Sequence, residues 1–429
     1  LPGSSINRVY EESRAEYGRI IAELNAMKDA ILGYLSAHTT RYGEDGGLYA
    51  VNPTSFIRTE YLKHNGSWYK ADVMPYASAK LTPAGAAAEK TFRITRDGME
   101  NAKISVEFSS VGYITSIKSK ATGREYVQGL TNRLVAYTDR KKSFNAWDID
   151  IKYPDRAKYY YDATGSKTYQ DGASLVRETS YKCGRSTLRQ KVILKFDADY
   201  LIFETEVVDW NLKHKMLRAD IYPAAFDKKA TYDIQFGNIT RSTGTATLKD
   251  YAQFEVCAHK WADVSNEKMG FGLSVLNDCK YGYRIKNGLI SLNLLRRTTS
   301  PDKLADKGTH TFTYVLYPHE GGVFDGNTIP LGYEINNPLI VTEKELEITT
   351  AALTGKKNIL TETIKPAYRG GGTILRFYET EGRSTVTSLK IGLPYKEVYE
   401  ADMLERPIGG IDLDHVKFSP YEIKTILVK

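Results

Sequence analysis

Two short stretches hold the side chains best suited to chemistry. In "FNAWDIDIKYPD", Trp147 stands beside Asp148 and Asp150. Residues two apart on a strand point to the same face, so on a strand these two carboxylates would converge on a sugar hydroxyl or a cation while the indole offers an apolar platform. A strand end carrying two solvated Asp side chains is the plainer account of the same letters. In "LLRRTTSPDKLADKG", Arg296 and Arg297 close a strand-like run, and Asp302 and Asp306 follow in a loop. Adjacent strand residues face opposite ways, so only one of the two guanidinium groups points at a given site. A guanidinium fork grips vicinal hydroxyls or a carboxylate in two places, which suits the rim of a carbohydrate site; an ordinary Arg/Asp loop pair is the alternative. The candidate substrate-contacting set is therefore Trp147, Asp148, Asp150, Arg296, Arg297 and Asp302.

Other constellations carry less. "CAHKWAD" offers Cys257, His259 and Asp263, which share a face only if one regular strand runs through all seven residues, and then Trp261 sits among them. A core Cys/Trp cluster with a hydrogen-bonded His fits better than a metal site. His310 and His319 are nine apart and face opposite sides of one strand. "YRGGGT" at 368 to 373 lacks the Lys-Ser/Thr ending of a phosphate loop and reads as a turn. No GxSxG, HExxH or Cys/His/Asn arrangement stands out, so no catalytic residue is assigned. Three cysteines, Cys183, Cys257 and Cys279, without CxxC spacing suggest reduced core thiols rather than disulfides or a zinc knuckle. The Asn-x-Ser/Thr tripeptides at Asn65 and Asn238 matter only in a secretory compartment.

The net charge of +7 arises from 59 basic and 52 acidic residues intermixed along the chain, and the densest basic stretch, "TDRKKS" at 138 to 143, reads as a solvated turn. Nucleic acid is not indicated, and no apolar run reaches the ~20 residues of a membrane span. With 429 residues and 31 Tyr the chain can bury a large core and leans towards β structure.

The elements that must position these residues change character along the chain. From Ile6 to Leu35 apolar residues recur at three- and four-residue steps, which predicts one long amphipathic helix whose stripe calls for partner helices upstream of Leu1. Beyond "TTRYGEDGG" the chain alternates in short segments. In "STLRQKVILKFDADYLIFETEVVDW", Leu188, Val192, Leu194 and Phe196 share one strand face, Arg189, Lys191 and Lys195 take the other, and "DAD" turns into a second strand. Asn287-Gly288 between two strand-like runs predicts a tight hairpin. Further strands continue to about His319, more than one small sandwich needs, so a large two-sheet antiparallel sandwich is expected, flanked by smaller β units.

Taken in order, "LPGSSINRVYE", "VNPTSFIRTE", "MENAKISVEFSSVGYITSIKSKATGRE", "NAWDID", "VDWNLKHKMLRADIYP", "FEVCAHKWADVS", "GFGLSVLNDCKYGY", "LLRRTTSPD" and "ADKGTHTFTYVLYPH" resemble the C-terminal two-thirds of a bacterial glycoside hydrolase family 38 α-mannosidase. The resemblance implies a galactose-mutarotase-like super-sandwich over 90–330, behind a helical remnant of a three-helix bundle at 1–42 and a small β domain at 43–89, and before a C-terminal β domain at 331–429. It implies retaining hydrolysis of terminal α-D-mannosides by an Asp nucleophile with one zinc ion, whose last His ligand precedes "LPGSS" in a motif resembling "QFHDILPGSS". The zinc ligands and nucleophile then belong to an N-terminal catalytic domain absent from this chain, which alone is expected to be inactive and to bind no zinc tightly. The expected partners are the α-mannoside, that catalytic domain and, through the exposed helix, a second copy; the expected compartment is the cytoplasm. The rival reading is a stand-alone carbohydrate-binding or scaffold module. In the family such β domains lend loops to the sugar-site rim, which is the role implied for the six candidate residues.

Overall fold

A computed structural model describes residues 5–37, 47–84, 91–141, 144–343, 346, 348 and 352–429. Leu1 to Ser4 of the opening segment, most of "TTRYGEDGG", and Lys142 and Ser143 of the basic stretch lie outside them. The fold is mainly antiparallel β, with one long N-terminal helix, as the alternation and the early three-four periodicity predict. That helix spans Asn7–Ala37, and none of its residues is buried; Ile21, Leu24, Met27 and Ile31 are all exposed.

The chain forms two compact units, one of Leu1–Lys28, Ala84–Tyr232 and Thr240–Gly332, the other of Asp29–Pro83, Asp233–Ile239 and Tyr333–Lys429. In the first, strands of a nine-stranded and a six-stranded antiparallel sheet share one core. Leu188, Val192, Leu194, Phe203 and Leu316 come to it from the larger sheet, and Leu134, Ala136, Leu217, Ala219 and Leu292 from the smaller. Inward residues two apart on each strand produce this two-layer core, as period-two alternation requires. Ser186–Lys195 and Leu201–Trp210 pair antiparallel with Leu188 opposite Val207, and Arg189 and Lys191 are exposed on the far face. Phe196 lies beyond the strand, in the turn, and meets Phe92 edge-on. Asn287-Gly288 joins Gly282–Lys286 to Leu289–Arg296 with φ of 53° and 80°, both left-handed, the two-residue turn that the dipeptide predicts.

Two expectations are corrected. "FEVCAHKWADV" is two strands, not one: Val256–Cys257 edges the six-stranded sheet, and Trp261–Asn266 lies in the nine-stranded one. Cys257, His259 and Asp263 therefore share no strand face. Core thiols are not the rule either: Cys183 packs against the core, but Cys257 and Cys279 are exposed. Trp261 is buried as expected, without Cys257 beside it in the interior.

In the second unit, Arg58–His64 and Ser67–Val73 form a hairpin, and Tyr49–Val51 pairs with both Ser78–Lys80 and Ile340–Thr342. A five-stranded sheet follows, in which Thr373–Glu379 pairs with Ile359–Pro366 and Ile423–Val428 over a core of Leu375, Phe377, Phe418 and Ile426. Glu379 is wholly buried there; its carboxylate accepts from the backbone N–H groups of Glu381, Gly382, Arg383 and Tyr421 and from Asn358 Nδ2. The turn at 381 to 383 is thus folded around a fixed anion.

Candidate functional site

Three strands of the six-stranded sheet bring the two candidate stretches together. Arg133–Thr138 and Leu289–Arg296 flank Lys215–Ile221, with Thr138 opposite Lys215 and Met216 opposite Arg296. The three strands therefore end at the same level. The ends are laced by backbone bonds: Asp139 N–H donates to His214 O, His214 N–H to Arg297 O and Arg297 N–H to Lys215 O.

Asp139 is the hub of this end of the sheet. It is 4% exposed, and its Oδ2 accepts from Arg296 Nε at 3.0 Å and Nη2 at 2.5 Å. Its Oδ1 accepts from the backbone N–H of Lys141 and, at 3.1 Å, of Asp150. One carboxylate thus ties the strand end, the loop after it and the guanidinium of a second strand, with charge-assisted bonds that are roughly twice as strong as neutral ones. Arg296 Nη2 also donates to the Asp148 carbonyl. Among the described residues nothing accepts from Arg296 Nη1.

The candidate residues fall into three groups around that hub. Trp147, Asp148 and Asp150 do not lie on a strand. Residues 145 to 147 form a turn, and a short 3₁₀ helix follows at Tyr153–Asp155, so the same-face argument fails. The loop runs across the strand ends because buried Asn145 clamps it: Nδ2 donates to Thr299 Oγ1, and Oδ1 accepts from the Thr299 and Ser300 N–H groups. Asp148 is exposed and pairs with Lys141, whose ammonium holds the carboxyl below its usual range. Asp150 faces Arg156, Nε to Oδ2 3.3 Å. Trp147 is 45% exposed, its ring 5.7 Å from that of Phe144.

The two arginines diverge, as adjacent strand residues should. Arg297 is buried away from the Asp139 cluster and donates to the carbonyls of Thr298, Lys303 and Ala305, so it shapes the 298–305 loop. Burial lowers its pKa, with Asp302 and Asp306 opposing. Asp302 is buried too, and accepts from Leu304 N–H. The structure thus brings Trp147, Asp148, Asp150 and Arg296 together and leaves Arg297 and Asp302 as the internal frame of the neighbouring loop.

Sequence reasoning missed two charged networks. Under the loop, Arg218 is fully buried and bonds bidentately to Glu255 at 3.0 and 3.2 Å, while its Nε donates to Ser291 Oγ. Ser291 Oγ and Tyr137 OH both donate to Asp220, and Tyr153 OH, from the loop, donates to Glu255. The signal was the Arg218-x-Asp220 alternation in "MLRADIYP". In the nine-stranded sheet, His319 Nε2 lies 2.8 Å from Asp263 Oδ2, which also accepts from Ser274. His319 and Asp263 are 56 residues apart, and no local pattern joins them. Among the described residues no three His, Cys, Asp or Glu side chains converge in the way a metal ion requires, so those residues do not fit a zinc site.

Comparison with known proteins gives a consistent picture. Residues 99–304 match the glycosyl hydrolases family 38 C-terminal domain, and residues 358–426 match the glycosyl hydrolases family 38 C-terminal beta sandwich domain. "Alpha-mannosidase G" of Dictyostelium discoideum is 35% identical across 96% of the chain, and "Alpha-mannosidase 2C1" of Homo sapiens 31% identical across 100%. The chain spans only 39% and 44% of the lengths of these relatives. The crystal structure of an alpha-mannosidase from Enterococcus faecalis V583 aligns with 92% of the chain, and the chain with 52% of it, at a TM-score of 0.71 and 14% identity, a likeness of fold. No helix among the described residues is long and apolar enough to cross a membrane.

Proposed function

Because the chain belongs to glycosyl hydrolase family 38 and carries its two C-terminal domains in order, we propose that it is the β part of a zinc-dependent retaining α-mannosidase acting on terminal α-D-mannosides. Its role in this reading is to support a separate catalytic domain and to present the loops around Arg296 at the rim of the substrate site. The observation that carries the reading is that α-mannosidases match 96 to 100% of the chain while extending far beyond it. The division into 1–42, 43–89, 90–330 and 331–429 and a cytoplasmic setting belong to the same reading.

The chemistry of the described residues agrees with a supporting part. Retaining hydrolysis needs one carboxylate to attack the anomeric carbon and a second to give and take a proton. Asp139, Asp148 and Asp150 are already bound to Arg296, Lys141 and Arg156, and we assign none of them either task. Zinc, when bound, would orient sugar hydroxyls and stabilise charge; no step is assigned to a zinc ion on these residues. What this chain offers is a guanidinium held from behind by a buried carboxylate, with Nη1 available to a sugar hydroxyl.

The exposed apolar face of the Asn7–Ala37 helix favours this reading over a self-sufficient carbohydrate-binding module, which would bury such a stripe. The test is hydrolysis of an aryl α-mannoside with added zinc by the chain alone, by the upstream segment of a full-length relative, and by the two mixed. Activity only on mixing is expected, reduced by Arg296→Ala. Activity of the chain alone would overturn the assignment.

A further inference from the structure

The segment from Asp402 to Ile408, in the second unit, turns apolar side chains to solvent although it is firmly held. Met403, Leu404 and Ile408 are 56%, 67% and 69% exposed, and Tyr368, which is tied to the same segment, is 88% exposed. The tie is Glu405, at a left-handed φ of 66°, whose carboxylate accepts from the Tyr368 N–H at 2.6 Å and pairs with Lys365 and Arg376. Arg376 also donates to the Met403 carbonyl. Asp402 closes the turn, accepting from the N–H groups of Leu404 and Arg406 and from Arg406 Nε. A turn bonded this way does not expose apolar residues through slack; its conformation presents them.

The chain then enters Pro407–Gly410, the outermost strand of the five-stranded sheet. It pairs with Val398–Ala401, and among the described residues no strand pairs with its other side. Sheet edges are ordinarily kept apart by charge, and the opposite edge of this sheet, Ile359–Pro366, carries Glu362 and Lys365. Pro407–Gly410 carries no charge, and all four of its residues are exposed. The strand is fixed beyond its end as well, because Ile411 and Leu413 pack on the core of the unit. A Cβ on Gly409 or Gly410 would meet nothing within 4 Å, so another backbone can approach there closely.

An antiparallel strand pair has a two-fold axis, so an edge can pair with its own copy. Centred on Gly409, such a pairing sets Ile408 of each copy opposite Gly410 of the other, where no side chain competes for space, and Arg406 opposite Asp412. Both charged side chains are largely exposed, at 59% and 66%, and the two-fold axis makes their pair twice. Lys365, Arg376 and Arg406 have carboxylate partners in their own chain, which limits repulsion between two copies.

We propose that Pro407–Gly410 is a self-association edge: two copies of this chain join antiparallel about Gly409, uniting their five-stranded sheets and covering Leu404 and Ile408. The proposal is independent of the activity argued above and of the Asn7–Ala37 helix as a dimer surface.

The test is sedimentation velocity of the whole 429-residue chain over a range of concentrations, with hydrogen exchange on the same samples. A monomer–dimer equilibrium is expected, with the amides of 408 to 410 protected in the dimer alone. Ile408→Lys should weaken the dimer about tenfold or more, and Arg406→Glu about fivefold. Arg406→Glu combined with Asp412→Arg restores the pair with its signs exchanged and should return to within about twofold of the parent. Leu24→Lys, on the exposed helix, should leave the equilibrium unchanged. The substituted side chains all face solvent, so each variant should keep the melting curve of the parent. A chain that stays monomeric, a dimer that Ile408→Lys leaves intact or that Leu24→Lys disperses, or no rescue by the exchanged pair overturns the proposal. So does protection of 408 to 410 that appears only on adding the upstream segment of a full-length relative, because that segment is then the occupant of the edge.

Discussion

Removing Arg218 is the sharpest test of how the loop is held. Its guanidinium is fully buried, bonded twice to Glu255 and twice to Ser291, and Glu255 in turn holds Tyr153 of the loop. Arg218→Met keeps the volume but leaves Glu255 without its cation. Breaking a buried pair by removing one partner costs about 3–5 kcal/mol, because the remaining charge stays desolvated. At roughly 2–4 °C per kcal/mol for a unit of this size, the first melting transition should fall by about 6–20 °C. Glu255 keeps 12% of its side-chain surface and can partly rehydrate, whereas Arg218 keeps none. Glu255→Leu should therefore cost more than Arg218→Met. The double variant Arg218→Met/Glu255→Leu removes both charges and should regain most of the loss, leaving about 1–2 kcal/mol for the hydroxyl of Tyr153 without its acceptor. Scanning calorimetry gives the transition, and hydrogen exchange should rise across 139 to 156 in the single variants. A drop below about 2 °C for Arg218→Met, or a double variant no better than the worse single one, would refute the picture of a desolvated pair anchoring the loop.

Two further outcomes follow from contacts that sequence spacing did not reveal. His319 Nε2 faces Asp263, and Nδ1 faces the Glu320 carbonyl, so both ring nitrogens meet acceptors. Burial disfavours the charged ring, but the Asp263 carboxylate outweighs it, and the pKa lies above the usual 6.5. A raised folded pKa means stabilisation that is complete below about 6.5 and lost as pH rises through the folded value, so melting temperature should fall with alkaline pH more in the parent than in His319→Gln; equal slopes would contradict this. In the second unit, a Cβ on Gly382 would lie 2.6 Å from the Tyr421 ring, at a φ of 74°. Gly382→Ala should destabilise that unit by about 1–3 kcal/mol in a denaturant titration, and an unchanged midpoint would contradict the packing.

How much of this was legible depends on the range of the interaction. Alternation placed Leu188, Val192 and Leu194 inside and Arg189 and Lys191 outside, and Asn287-Gly288 gave its turn, because a side chain's face and a two-residue turn are set by the backbone geometry of neighbours. The divergence of Arg296 and Arg297 is local in the same way. The long helix was equally readable from its period. The Trp147 stretch misled because its apolar-polar alternation imitates a strand, while the clamp that bends it is Asn145, 154 residues from its partner Thr299.

The amino-acid sequence by itself thus determined the β character, the strand faces and the family resemblance, all carried by short-range order or by motifs in sequence. Only the tertiary structure decided that Asp139 and Arg296, 157 residues apart, close one cluster, that Arg218 meets Glu255 beneath the loop, and that His319 reaches Asp263. The first pairing arises where separate strands end at one level of a sheet, and the other two join segments far apart in sequence that the sheets lay side by side. A buried charge must be matched wherever the fold leaves it, and the fold brings it a partner across the sheet that sequence spacing does not reveal.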